Sequence, residues 1–279
     1  MGIRTDLADE AEELWRKSAG ENTELPGVKA RELQKNGVRF YRVEILDQRG
    51  EKALGKPCGV YETMYLPGEG RPTPELVESL AESLGDRLDL RGEESVLVVG
   101  LGNRTMTPDA VGPLSMEGLL VTRHLRQHLP KIFSAVRSVS ALAPGVLGTT
   151  GVESAEIVAS VVGRTKPDRV LVVDALAAGG PDRLCRTIQV TDAGIVPGSG
   201  VGNSRAAFSK KSLGVPVVAV GAPTVMDSTL FGGNQEAPMV ITPRDIDARV
   251  RRLSSLISAA INAALFPGWS HEEIAQFVE

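Results

Sequence analysis

Two aspartates follow apolar runs in this sequence, at positions where carboxyl groups can carry acid–base chemistry. Asp109 lies in the loop after a valine-rich run that ends at Gly100, and Asp174 directly follows the apolar run 170–173. In an open parallel sheet, ligands bind beyond the carboxyl ends of the strands. We therefore expect both aspartates at one sheet edge, where they could act as general base and general acid around a water molecule.

The local sequence predicts different environments for the two carboxyl groups. Thr107 and Pro108 precede Asp109, so Thr107 is expected to cap a helix whose first turn holds Asp109 and favours its ionised form. Asp174 ends a buried strand, and lost hydration there is expected to raise its pKa. Such aspartates are often a plain cap and a plain turn former. Their pairing on two loops of one edge favours a functional role.

The glycine-rich segments do not match nucleotide-binding motifs. Residues 195–205 lack the Gly-Lys-Ser/Thr ending of a phosphate-binding loop, and Gly100-Leu101-Gly102 lacks the third glycine of the dinucleotide fingerprint. Turn formation and backbone donors for an extended peptide are the two remaining interpretations of 195–205. A further loop, residues 221–227, also follows an apolar strand.

Other kinds of catalytic centre have little support in the sequence. His124 and His128 are four residues apart, as in some zinc sites, but Leu125 stands where metalloproteases have glutamate. Two solvent-facing histidines are the favoured interpretation. No Gly-x-Ser-x-Gly motif is present. Cys58 and Cys185 have no partner spacing for a disulfide or a zinc site, so no metal and no cofactor are predicted.

The elements that must position these residues can be predicted from hydrophobic patterning. An amphipathic helix is predicted over 6–17, and a small antiparallel piece over 38–46 and 60–66. A helix capped by Thr73 is expected to start at Pro74 and to end near Leu84 and Gly85. Further strands are predicted at 95–101, 135–142, 169–174, 184–190 and 215–220, further helices at 110–129, 151–162 and 243–265, and capping boxes at 150–153 and 270–273.

Apolar strands alternating with helices predict an α/β fold, a mainly parallel sheet covered by helices with a small N-terminal antiparallel elaboration. A single domain over 1–279 is expected, with residues 1–90 as the elaboration. The formal charge of −4 excludes an electrostatically driven nucleic-acid binder. The chain has no signal-peptide pattern and no apolar run long enough to cross a membrane, so a cytoplasmic protein is expected.

The loops together resemble one family, the germination protease (spore protease) family of endospore-forming bacteria. The likeness covers nearly the whole chain and keeps its order, which makes it more specific than any single loop. The segments that carry it are Arg4–Ala8, Leu25–Lys29, Val99–Arg104, Thr107–Pro113, Ala143–Gly145 with Gly151, Val172–Ala177, Pro197–Asn203, Val220–Val225 and Val240–Ile246.

The resemblance implies an endopeptidase that degrades small acid-soluble spore proteins during germination, without nucleic acid or a membrane as partner. Its members are tetrameric zymogens of the developing spore, which places this chain in the forespore or spore core. The family's two catalytic aspartates map onto Asp109 and Asp174, and its fold is similar to that of hydrogenase-maturation peptidases. It cuts after Glu or Asp and before an apolar residue followed by Ala.

The same preference occurs within this chain. Asp6-Leu7-Ala8 is acid, apolar and Ala, so a self-processing cut between Asp6 and Leu7 is predicted, with 1–6 as a short propeptide. The competing interpretation is that Asp6 caps the first helix. The chain is also expected to be shorter than typical members of the family, with the shortening placed around 226–239 and at the N-terminus, where the propeptide would have only about six residues.

Roles within the site follow as hypotheses. Asp174 is expected to hold a proton and Asp109 to act as base, although the order could be reversed. Arg104 and Arg205 could pair with the acidic residue of a substrate or could be solvated charges. The candidate substrate-binding residues are Arg104, Asn103, Gly200, Gly202 and Arg205. The alternatives are a hydrogenase-maturation-like peptidase, a metalloprotease using His124 and His128, and a non-catalytic binder of spore proteins.

Overall fold

A computed structural model describes residues 5–19, 24–68, 70–202, 205–228 and 239–278. Residues 1–4 of the predicted propeptide and 229–238 of the predicted shortening lie outside these ranges, and so do Asn203 and Ser204 of the glycine-rich segment. The strands are β1 Val28–Lys35, β2 Val38–Ile45, β3 Gly59–Tyr65, β4 Val96–Gly100, β5 Val139–Leu142, β6 Arg169–Ala178, β7 Thr187–Thr191, β8 Val217–Asp227 and β9 Val240–Ile241.

Helices of very different length connect these strands. They are α1 Ala8–Ala19, α2 Gln48–Leu54, α3 Pro74–Leu88, α4 Val111–Glu117, α5 Arg123–His128, α6 Pro130–Phe133, α7 Leu147–Thr150, α8 Ser154–Thr165, α9 Lys210–Leu213, α10 Ile246–Leu265 and α11 His271–Ala275. Two short 3-10 helices occupy Thr107–Asp109 and Ser199–Val201.

The nine strands of the described residues belong to one sheet, in the order β1-β2-β3-β7-β8-β6-β4-β5, with β9 beside the end of β8. Its centre is parallel, because β5, β4, β6 and β8 run in the same direction. The strands from β8 towards β1 pair antiparallel, so the antiparallel part is larger than the small N-terminal elaboration expected. The α/β fold with a parallel central sheet is confirmed.

Aliphatic side chains hold the helices on both faces of the sheet. In β6, Leu171 and Val173 point into a cluster with α3, α4 and α10, whereas Val170 and Val172 point into a cluster with α8. This alternation is the period of two of a strand that is covered on both faces. Helices α1 and α2 add a third cluster over β2 and β3. The faces of β6 thus assign Asp174 to the α8 side.

Several predicted boundaries are wrong, and the deviations concentrate around the two aspartates. Strand β6 continues to Ala178, so Asp174 lies within a strand rather than at its end. The predicted helix 110–129 is divided into α4 and α5, which are separated by residues 118–122. Helix α3 is capped by Thr73 as predicted but continues past Gly85 to Leu88.

The two predicted capping boxes have different outcomes. Ser270 and Glu273 form a capping box at α11, as expected. Glu153, however, occupies the N-cap of α8 with no side-chain cap bond, so the predicted box from Thr150 is wrong. Instead, the Thr150 hydroxyl accepts from the Val152 N–H. Strand β1 was not predicted, because its Val28-Lys-Ala-Arg-Glu-Leu-Gln-Lys35 sequence has little apolar alternation.

Gly112 in α4 is a test of how closely the elements of the site are packed. A Cβ there would lie 2.2 Å from the Leu101 carbonyl oxygen and 2.6 Å from that of Val173. We expect Gly112→Ala to lower the free energy of unfolding by about 1–3 kcal/mol. Gly85→Ala is the control, since nothing lies within 4 Å of its Cβ position in α3, and it should stabilise by about 0.5–1 kcal/mol. Denaturant unfolding of both variants measures this, and equal effects would contradict the close packing.

Candidate active site

Asp109 and Asp174 line the same cavity, which has a volume of about 560 Å³. The cavity lies beyond the carboxyl end of β4, where the chain turns through residues 101–103 into the 3-10 helix Thr107–Asp109. Strand β6 forms another wall with Asp174, and the segment before α8 contributes Glu153. The fold therefore brings the two aspartates together at one sheet edge, as the sequence predicts.

Glycines allow the backbones behind the two aspartates to approach closely. Gly102 has φ +112°, and a Cβ on it would lie 2.0 Å from the carbonyl oxygen of Asp109. A Cβ on Gly100 would lie 2.4 Å from the carbonyl oxygen of Gly112 in α4. A side chain at Gly102 would push the 3-10 helix away from the turn after β4, and one at Gly100 would push α4 away from the strand. The glycines after β4 thus serve close approach between backbone segments of this chain.

Asp109 is half-buried, and its Oδ2 accepts a hydrogen bond of 2.8 Å from the Asn103 N–H. Burial raises the pKa of Asp109, and the Asn103 N–H partly offsets the rise. The expectation of an ionised form favoured by a helix first turn is wrong, because Asp109 ends a 3-10 helix before α4. Thr107 is not the expected cap either, since its hydroxyl donates to Asp247 at 2.9 Å.

Asp174 is more deeply buried, with 4% of its surface exposed. Its Oδ1 accepts from the Ala175 N–H at 2.9 Å. Burial raises the pKa of Asp174 well above its ordinary value, and the charges of Asp109 and then Asp6 raise it further. Both pKa values are therefore raised, in contrast to the predicted opposite shifts. The pKa of Asp174 is raised more than that of Asp109, so a proton shared by this pair would reside on Asp174.

The other candidate residues are distributed unevenly around the cavity. Asn103 and Arg205 line it, and Arg205 forms an ion pair of 3.3 Å with Glu153. Arg104 is 57% exposed, pairs with Glu117 at 2.8 Å and lines a separate groove between α4 and α10. The structure thus places Arg205 at the aspartates and Arg104 away from them.

Gly200 and Gly202 lie in and just after the 3-10 helix Ser199–Val201. Gly200 is buried against Asp6, whose Oδ2 is 2.3 Å from the position of a Gly200 Cβ. Gly202 is the left-handed residue that ends this helix, with φ 75°.

The N-terminal segment also reaches the cavity, because Asp6 is part of its lining. The Asp6 carboxylate accepts hydrogen bonds from the Ala177 N–H and the Ser199 hydroxyl, both far along the chain. These long-range contacts differ from those of a helix cap, so the capping interpretation of Asp6 is not supported. The adjoining Leu7 is fully buried.

Apolar side chains on the cavity rim were not singled out from the sequence. Met106, Leu147, Val201 and Val240 line the cavity while between 36% and 57% of each remains exposed. Exposed apolar side chains gathered around a cleft are typical of a binding surface. The residues come from four separate segments, so their clustering exists only in the folded chain.

Within the described ranges, no three or more His, Cys, Asp or Glu side chains cluster so that they could hold a metal ion. His124 and His128 are exposed on α5 and do not line the cavity. Among the helices of the described residues, none is long and apolar enough to cross a membrane.

Comparisons with known proteins agree with one another. The family described as germination protease matches residues 5–235. A germination protease of Caldanaerobacter subterraneus is 41% identical over 324 residues, covering 100% of this chain and 98% of the relative. One from Clostridium tetani is 35% identical, with 100% of both chains covered, and one from Bacillus licheniformis is 45% identical over 81% of this chain and 64% of the relative.

The aligned length of 324 residues exceeds the 279 residues of this chain, so the Caldanaerobacter relative contains additional residues. Among solved structures, a nickel–iron hydrogenase maturation protease, HycI from Thermococcus kodakarensis, is 21% identical with a TM-score of 0.38. That match covers 64% of this chain and 98% of the other.

The buried Asp174 carboxylate leads to a prediction about stability and pH. Because its pKa is raised in the folded state, unfolding free energy is lost as pH rises from the unfolded-state pKa through the folded-state pKa. Asp174→Asn keeps the shape and removes the charge. We expect the variant to be more stable than the original chain at neutral pH and equal to it at acid pH.

Thermal unfolding across a pH series measures this difference. Asp182→Asn, an exposed position outside the cavity, is the matched control and should show the pH dependence of the original chain. If Asp174→Asn is no more stable than the original chain at neutral pH, the ionised Asp174 carboxylate does not destabilise the fold and the prediction is wrong.

Proposed function

The chain belongs to the germination protease family of endopeptidases, and we propose that it starts the degradation of small acid-soluble spore proteins when spores germinate. The proposed cut follows Glu or Asp and precedes an apolar residue and Ala. The reaction is hydrolysis by a water molecule that Asp109 and Asp174 activate. The observation that carries the proposal is the burial of both carboxyl groups in one cavity.

The unequal burial of the pair supports a division of roles. Asp174 is the more deeply buried and has Asp109 as a neighbouring charge, so it retains a proton at pH values where Asp109 has lost its own. Asp109 then acts as general base, and the Asn103 N–H stabilises its ionised form. An ionised base beside a protonated acid is the state that hydrolysis by a pair of carboxyl groups requires.

The reaction can be written with these two groups alone. Asp109 takes a proton from water as the water oxygen attacks the carbonyl carbon of the scissile bond, while protonated Asp174 donates to the carbonyl oxygen. The C–N bond then breaks as the leaving nitrogen receives the proton held by Asp109 and a hydroxyl of the tetrahedral intermediate returns a proton to Asp174. The products are a new carboxyl terminus and a new amine, and the pair returns to its starting protonation.

The cavity rim supports a polypeptide as the substrate. Met106, Leu147, Val201 and Val240 offer apolar surface beside the aspartates, as binding an apolar residue after the scissile bond would require. Assembly as a homotetramer, synthesis as a zymogen and residence in the forespore or spore core are parts of the same proposal. They follow from the family to which the chain belongs.

Cleavage of a small acid-soluble spore protein is the direct test. We expect the purified chain to cut it after an acid and before an apolar–Ala pair, with product masses giving the position. Asp109→Asn and Asp174→Asn should each lower kcat/KM by at least about 1000-fold, since each removes one role in proton transfer. Asp182→Asn should leave the rate unchanged.

Two further arms separate the alternatives. A chelator should not alter the rate, whereas inhibition by chelator would favour a metalloprotease. Full activity of either Asn variant would exclude the aspartate pair. If a folded chain freed of residues 1–6 binds spore proteins but cuts none, the chain is a non-catalytic binder.

Self-processing gives a second prediction. We expect fully active enzyme to have lost residues 1–6 through a cut between Asp6 and Leu7, because Asp6-Leu7-Ala8 matches the proposed substrate pattern and Asp6 lines the catalytic cavity. Mass spectrometry of the intact chain detects the loss. Asp174→Asn should stay uncut, and a fully active chain with an intact N-terminus would disprove self-processing at this bond.

A further inference from the structure

The N-terminal segment pairs with the far half of β6. Strand β4 ends with Gly100 opposite Val173, so beyond that point β6 has β8 as its strand partner among the described residues. Asp6 occupies this stretch: its N–H donates to the Ala177 carbonyl at 2.9 Å, and the Ala177 N–H donates to Asp6 Oδ2 at 2.8 Å. Asp6 thus docks on the strand that contains Asp174, which lies three residues before Ala177.

The Asp6 side chain has a site built around it. Besides the Ala177 N–H, the Ser199 hydroxyl donates to Asp6 Oδ1 at 2.5 Å. Gly200 leaves the necessary room, since a Cβ there would lie 2.3 Å from Asp6 Oδ2 and 2.6 Å from the Ala177 Cβ. Hydrogen bonds to an ionised acceptor are the stronger kind. Two converging donors and a glycine therefore form a site that is shaped for a carboxylate.

A single side chain holds the main chain on both sides of the Asp6–Leu7 bond. Gln189 is 5% exposed; its Nε2 donates to the Asp6 carbonyl at 3.2 Å, and its Oε1 accepts from the Ala8 N–H at 2.8 Å. Gln189 thus binds the main chain of the tripeptide Asp6-Leu7-Ala8, whereas the Ser199 hydroxyl and the Ala177 N–H bind the carboxylate of its first residue. Lys56 adds positive charge beside the segment, with Nζ 3.1 Å from the Thr5 carbonyl oxygen.

Asp6 stands between two cavities. It lines the cavity of Asp109 and Asp174, and it also lines a neighbouring cavity of about 420 Å³ that includes Gln189 and Ser199. Leu176 and Phe208 belong to both linings as well. Asp6 therefore lies at the boundary between the two cavities.

We propose that the Ala177 N–H and the Ser199 hydroxyl form the subsite for the acidic side chain of the substrate, that Gln189 holds the adjoining main chain, and that Asp6 is a tethered occupant of this subsite. The inference rests on the proposed function, since it specifies how an endopeptidase that cuts after acids recognises the acid. It assigns the direct hydrogen bonds to the acid to neutral donors with Lys56 as the nearby cation, whereas Arg104 and Arg205 are paired with Glu117 and Glu153.

Peptide binding to a catalytically inactive variant tests the subsite separately from catalysis. The full chain with Asp174→Asn is used. Fluorescence anisotropy measures its binding to a labelled peptide that contains Glu-Leu-Ala and to a matched peptide that contains Gln-Leu-Ala. We expect Asp6→Ala to strengthen binding of the Glu peptide about tenfold or more, because it vacates the donors. The Gln peptide should gain much less.

Ser199→Ala added to this chain should remove most of the gain for the Glu peptide, and Gly200→Ala should do the same by filling the subsite. Ser160→Ala is the matched control, an exposed serine on α8 outside both cavities. Thermal unfolding confirms that each variant is folded. If Asp6→Ala leaves Glu-peptide binding unchanged, or if Ser199→Ala weakens both peptides equally, the subsite is overturned.

The two proposals fail in different ways. Selective Glu-peptide binding with no cleavage of spore proteins by the original chain would retain the subsite and reject the proposed function. Cleavage after acids that Ser199→Ala and Gly200→Ala leave unaltered, together with unselective binding, would retain the function and reject the subsite.

Discussion

Two carboxyl groups that share one poorly hydrated cavity set the constraint on which the rest of this site depends. Asp109 and Asp174 each have one backbone N–H as a hydrogen-bond donor, from Asn103 and Ala175, so neither charge is well compensated. Each ionisation costs free energy through lost hydration, and the second costs more because the first charge is nearby. Only a rigid surrounding structure can hold such a pair together, and the backbone contacts at Gly102 and Gly112 provide it.

The unequal length of the central strands connects the proposed catalytic pair with the proposed recognition site. Strand β4 stops at Gly100, which lets the chain turn and carry Asp109 over the sheet edge. Strands β6 and β8 continue side by side beyond that edge, so Asp174 is fixed within a strand rather than in a loop. The same extension leaves backbone groups of Ala177 available for Asp6. One difference in strand length therefore gives both the rigid acid and the place where a peptide can pair.

Sequence reasoning could predict what depends on local pattern. The valine-rich runs gave the central strands, and Asp109 and Asp174 could be brought to one edge by the general behaviour of parallel sheets. The direction of the Asp109 pKa shift could not be predicted. The Thr107-Pro108-Asp109 sequence is compatible both with the exposed first turn of an α-helix and with the buried end of a 3-10 helix. Gln189 carried a weak signal as an amide between the apolar Ile188 and Val190 of a buried strand.

Ser199 and Ala177 gave no such signal, since their donors converge on Asp6 only after residues far apart in the chain have come together. The contrast between Arg104 and Arg205 is of the same kind. Both follow glycine-rich turns, yet only the fold decides that Arg205 faces the cavity and that Arg104 lies in another groove. These contacts depend on the relative positions of segments far apart in the sequence, which no local pattern specifies.

The covalent attachment of Asp6 has a consequence for concentration. A ligand joined to its own binding site by a short segment experiences an effective concentration of about millimolar, however dilute the protein is. With Asp6 in the proposed subsite, a substrate in free solution would compete against that constant value, and weakly bound polypeptides would be excluded. Once the Asp6–Leu7 bond is broken, the same carboxylate belongs to a free peptide that diffuses into the bulk. Occupancy of the site by this carboxylate then falls as the protein is diluted. A single cut therefore replaces a tethered competitor of the substrate with a free one.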